Sequence, residues 1–108
     1  MAAVLLLLCA LPVSAGTISS LSPSWIYGNT DGTMLYVFGA ELGEVVVFDG
    51  PAGRFEVPAD TAQQDVVSVW SPDEVRRAIG SHTVAVTGPG GASNAVRFDV
   101  VWHPLVLL

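Results

Sequence analysis

Beyond residue 16 the chain is cut into seven short runs, at 17–21, 33–38, 44–48, 54–57, 66–70, 82–87 and 95–101. Gly, Pro, Asn or Asp closes nearly all of them, as in Asp49-Gly50-Pro51 and Gly88-Pro89-Gly90-Gly91. Runs of this length, rich in Val, Thr and aromatics and bounded by turn formers, suit strands. Side chains within them alternate. In the last run Val96, Phe98 and Val100 share one side, while Arg97 and Asp99 take the other, so the apolar trio faces a core and the charged pair faces water. In the run before it Val84 and Val86 point inward, and Thr83, Ala85 and Thr87 outward. The glycine-rich connection 88–94 makes these two runs antiparallel neighbours. The fold class expected is all-β, an antiparallel sandwich or barrel of about seven strands. One segment breaks the pattern: 72–80 reads PDEVRRAIG, with acids first and arginines later. That order complements a helix dipole and predicts one or two helical turns ending at Gly80.

Composition narrows the function classes. Apolar residues make up 51% of the 108 positions and charged ones 13%, which excludes a disordered chain and leaves room for one domain. Four basic residues stand against ten acidic ones, for a net charge of −6. Such a surface cannot neutralise phosphates, so no nucleic acid is expected as partner.

The first fifteen residues read as an address. Residues 2–13 (AAVLLLLCALPV) form an uncharged run of twelve, too short for a membrane helix, which needs roughly 20 apolar residues. The run suits the middle of a secretory signal peptide, and Val13-Ser14-Ala15 supplies small residues for cleavage. The usual basic start is missing from Met1-Ala2-Ala3. The single cysteine, Cys9, lies in this run behind Leu8, which is not the small residue lipidation needs. The expected organisation is a signal peptide at 1–15, one domain at 16–101, and an apolar tail or the start of a linker at 102–108. The exported domain would hold no internal disulfide, so packing alone must stabilise it.

The stretch 80–100, GSHTVAVTGPGGASNAVRFDV, resembles the closing hairpin of the IPT/TIG family of immunoglobulin-like domains, which typically ends in G-x-y-x-V-x-V-x-N-P-G-G-x-S-N-x-x-x-F-x-V. Ile18, Ser22-Pro23, Gly32-Thr33 and Gly39 are similar to the opening of those domains, and Val46-x-Phe48-x-Gly50 and Val67-x-Val69-x-x-Pro72 fit the middle. The resemblance covers about residues 17–101. Three positions depart from it: Gly88 replaces Asn, Trp25-Ile26-Tyr27 occupies a loop of usually small residues, and Leu42 stands where Phe is common. The resemblance implies an immunoglobulin-like β-sandwich. Such domains occur in cell-surface receptors, secreted or surface-anchored microbial proteins, polysaccharide-acting enzymes and transcription factors, mostly as spacers or interaction modules. The acidic charge and the leader weigh against the last setting.

Residues with chemistry do not converge. His82 and His103 have no carboxylate or second histidine at ligand spacing, so no metal is expected. Ser81 and His82 are adjacent on a strand and point to opposite faces, which argues against a nucleophile pair with Asp73. Asp31-Gly32 and Asp49-Gly50 read as turns, and 88–91 lacks the helix and Lys of a phosphate cradle. No catalytic residue, cofactor or enzymatic activity is expected.

Apolar residues on an outer face are the informative oddity. With Leu35 and Val37 inward, as the resemblance to the family pattern implies, Met34, Tyr36 and Phe38 face outward; by the same reading Val67 and Val69 are inward and Val66 and Trp70 face outward. If these runs are neighbours in one sheet, Tyr36, Phe38 and Trp70 share a surface, and Trp25 and Tyr27 are further candidates for contact. A one-residue slip, a bulge, or covering by the 25–27 loop or the tail would hide that surface. The expected function is a non-catalytic, secreted or cell-surface module for protein–protein interaction. The alternatives are a carbohydrate-binding accessory module, with these aromatics stacking on sugar rings, and a structural spacer. No stable membrane span is expected.

Overall fold

The computed structural model describes residues 16–28 and 32–102. The expected leader, the 29–31 segment and the tail from His103 lie outside the described residues.

Among the described residues ten strands and one helix follow in order: β1 Thr17–Ser22, β2 Trp25–Tyr27, β3 Met34–Ala40, β4 Val45–Gly50, β5 Gly53–Pro58, β6 Thr61–Ala62, β7 Val66–Trp70, α1 Asp73–Arg77, β8 Gly80–Gly88, β9 Gly91–Ala92 and β10 Val96–Val101. They form two sheets, β1-β3-β7-β6 and β2-β10-β8-β4-β5, with β9 paired to β8. The protein is an all-β sandwich. The first sheet has the A-B-E-D order of an immunoglobulin constant-type domain, and β10-β8-β4 has its G-F-C order.

All seven sequence-predicted runs are strands, and the β8–β10 pairing joins Val84 to Val96 and His82 to Phe98 as expected. Five elements differ from expectation. Two are the two-residue strands β6 and β9, absent from the seven predicted runs, which pair with β7 and β8. Residues 25–27, read as loop, form β2, which pairs parallel with β10. The chain leaves the first sheet after Ser22, crosses at Pro23 and joins the second sheet. Gly39 does not stop β3: the strand runs on to Ala40, with Gly39 opposite Ile18. A Cβ on Gly39 would sit 2.0 Å from the Thr17 carbonyl oxygen, so only glycine permits this approach beside the bulge between Ile18 and Ser20. Helix α1 ends before Gly80, because Ala78 already has extended dihedrals (φ −97°, ψ 100°) and Gly80 opens β8.

The core lies between the sheets. Leu35, Val37, Val67 and Val69 from one layer meet Val46, Phe48, Val84 and Phe98 from the other, all but sealed from water. Each such side chain contributes roughly 1.5–3 kcal/mol relative to exposure. Phe48 and Phe98, on strands either side of β8, pack edge to face with ring centroids 6.5 Å apart. Val75 of α1 is fully buried and joins this cluster.

One polar fastening holds β8 to the end of α1, and a second ties the two sheets together. His82, at the start of β8, is buried with Nε2 2.8 Å from the Ala78 carbonyl oxygen. A carbonyl only accepts, so Nε2 carries the proton. The bond runs back four residues along the chain, as the hydroxyl of the tyrosine corner does in immunoglobulin domains. Nδ1 finds no partner; it packs over Gly50, where a Cβ would approach it to 2.8 Å. At the other fastening, Asn94 accepts from the Ile18 amide (2.7 Å) and donates to the Ile18 carbonyl (3.1 Å). Ser93 continues the hairpin: its Oγ accepts from the Val86 amide at 2.9 Å, and its own amide donates to the Val86 carbonyl at 2.8 Å.

Candidate interaction surface

Period-two alternation holds through both central strands of the first sheet, so each presents every second residue outward. Their register sets Met34 opposite Trp70, Tyr36 opposite Ser68 and Phe38 opposite Val66. Strand β1 adds Ser22 beside Tyr36 and Ser20 beside Phe38. Tyr36, Phe38 and Trp70 remain 45%, 39% and 52% exposed. No slip occurs between the two strands, and β2 belongs to the other sheet and does not cover this face. Strands β1, β3 and β7 contain no charged residue at all.

The outer face of the second sheet is different in kind. Asp49 lies opposite Arg54, and Arg97 and Asp99 alternate with the core residues of β10. Arg97 Nε is 2.7 Å from Asp99 Oδ1, and the Ser81 hydroxyl donates to the same oxygen at 2.9 Å. These two bonds, the arginine's first, hold the Asp99 carboxyl below the usual aspartate range. Edge strand β5 carries Arg54, Glu56 and Pro58, residues that discourage pairing with a further strand.

The five aromatics singled out in the sequence therefore fall into two groups. Tyr36, Phe38 and Trp70 come together on the first sheet. Trp25 and Tyr27 stand opposite Asp99 and Val101 in the β2–β10 register, on the outer side of the second sheet's edge. Their rings meet edge to face at 5.0 Å and line an open groove of about 580 Å3 with Leu21, Pro23 and Thr33. The contribution of Ser20 and Ser22 escapes sequence reading, because the bulge in β1 shifts their register.

The polar groups weighed for catalysis stay apart. His82 faces the core, Ser81 faces Asp99, and Asp73 pairs with Arg76 (3.3 Å) and Arg77 (2.9 Å). Among the described residues no group of three or more His, Cys, Asp and Glu is placed to hold a metal ion, and no helix is long and apolar enough to cross a membrane. No family model matches the chain, and neither a curated protein nor a solved structure matches it.

Proposed function

We propose that this chain is a secreted or cell-surface immunoglobulin-like module of the IPT/TIG kind, non-catalytic, that binds protein through the β3/β7 face. One observation carries the reading: Tyr36, Phe38 and Trp70 stand together, exposed, on a sheet whose three main strands lack any charge. Aromatic side chains give large contact area at low entropic cost and dominate interface hot spots. Export rests on the leader's composition. The IPT/TIG assignment draws support from Ser93 and Asn94, whose place in the family pattern coincides with bonds to Val86 and Ile18.

A photo-reactive phenylalanine analogue placed at position 36 tests the reading, with position 54 on the charged face as control. Cross-links to protein from position 36 and few from 54 are expected; equal yields from both overturn the face. A second reading, carbohydrate binding, is favoured by the Trp25–Tyr27 groove, whose lining also includes Ser22, Ser24 and Thr33. Quenching of tryptophan fluorescence by soluble polysaccharide, lost in Trp25→Ser, would establish it.

A further inference from the structure

Resting on the carbohydrate reading, we infer that a neutral glycan binds the outer face of the second sheet, away from the β3/β7 face, stacked on Trp25 and hydrogen-bonded by Arg97, Asp99 and Ser81. The register builds this spot. Strand β10 turns Arg97, Asp99 and Val101 outward. Asp99 is the middle of a row across three strands, with Ser81 of β8 opposite it on one side and Trp25 of β2 on the other. Each step of that row is one strand spacing, ~4.8 Å, comparable to the breadth of a single sugar ring. Trp25 is 49% exposed, and Trp102, 59% exposed, stands just past β10. Ser81, Arg97, Asp99, Val101 and Trp102 line one shallow groove of about 310 Å3.

The polar groups are held in place and only partly used. Asp99 Oδ1 accepts from Arg97 Nε at 2.7 Å and from the Ser81 hydroxyl at 2.9 Å, while Oδ2 takes neither bond. A guanidinium has five N–H donors, and this contact occupies one. Spare donors beside a spare acceptor match two neighbouring sugar hydroxyls, each of which both gives and takes a hydrogen bond. The apolar C–H face of the same ring suits an indole, which is large, flat and amphipathic. Folding alone gives little reason for the pair, because an exposed ion pair adds little stability. Charge then selects the ligand class. Asp99 neutralises Arg97 and the chain carries −6, so a phosphate or a uronate would meet no net cation. An apolar peptide would have to bury the ion pair, at a cost in desolvation.

Affinity electrophoresis of the full chain tests the inference, in native gels containing pullulan, mixed-linkage β-glucan, galactomannan or polygalacturonate. Retardation by at least one of the three neutral polymers, and none by polygalacturonate, is expected. Arg97→Gln, Asp99→Asn and Trp25→Ala should each raise Kd for that polymer at least ~10-fold, the scale of one lost hydrogen bond to a charged group. Arg54→Gln and Asp49→Asn make the same charge changes on β5 and β4 of the same sheet and should leave Kd unchanged. Retardation that survives Arg97→Gln and Asp99→Asn but not Trp25→Ala overturns the inference and keeps the carbohydrate reading, with the sugar on the Ser22, Ser24 and Thr33 side of Trp25. Equal retardation by polygalacturonate, or equal losses in the Arg54 and Asp49 variants, also overturns it. No retardation by any neutral polymer removes both.

Discussion

The Asn94 side chain holds the first strand of one sheet to the connection leading into the last strand of the other, and its removal should be costly. Its amide treats Ile18 as a neighbouring strand would, accepting from the amide nitrogen at 2.7 Å and donating to the carbonyl at 3.1 Å, across 76 residues of sequence. Each bond is worth about 1 kcal/mol net, and a buried N–H left unpaired adds a penalty of about 1–3 kcal/mol. Ile18 is only 4% exposed, but Asn94 stands exposed at the surface, so water takes over part of the lost pair. Asn94→Ala should therefore lose about 1–2 kcal/mol, a sizeable share of the 5–15 kcal/mol typical of native domains. Urea denaturation followed by tryptophan fluorescence reads this loss as a lower midpoint at unchanged slope. Asn94→Asp sharpens the test. It keeps an acceptor for the Ile18 amide but turns a second carboxylate oxygen toward the Ile18 carbonyl. It should be no better than alanine at neutral pH and recover as acid protonates the carboxyl into a donor. Hydrogen exchange at Ile18 should accelerate in both variants. An alanine variant within ~0.5 kcal/mol of the parent, with unchanged protection at Ile18, would refute the reasoning.

Gly39→Ala forces a Cβ to within 2.0 Å of the Thr17 carbonyl oxygen, so β1 must part from β3 at the bulge; a loss of roughly 2 kcal/mol or more is expected by urea denaturation, and a neutral result would contradict the close approach. The lowered carboxyl of Asp99 adds stability above the ordinary aspartate range, near pH 4, that disappears as pH falls through its folded value. A carbon-detected NMR titration should place its midpoint below that of free aspartate, and Arg97→Gln should move it upward; an unmoved midpoint would remove the arginine as the main cause.

Much of this architecture is legible in the sequence where two faces contrast sharply. Arg97 and Asp99 between Val96, Phe98 and Val100 leave one orientation for β10. Strands β3 and β7 have no such contrast, and the outward setting of Tyr36, Phe38 and Trp70 is legible only through the family resemblance. What stays hidden depends on distant partners. Strand β2 is three residues long and gains its identity from Asp99, Val100 and Val101. Gly39 reads as a stop because nothing local reveals that Thr17 lies against it. His82 reads as an isolated histidine because its partner is a backbone carbonyl, which no sequence spells out. Trp25 and Tyr27 read as companions of Tyr36 until the crossing at Pro23 carries them to the other sheet.

That crossing has a mechanical consequence. The β2 segment near the beginning of the domain and β10 near its end run side by side in the same direction. Stretching the domain by its two ends drags these segments past each other lengthwise. The bonds joining them then share the load together instead of unzipping singly, so the domain resists tension along its length while remaining comparatively easy to peel from the side.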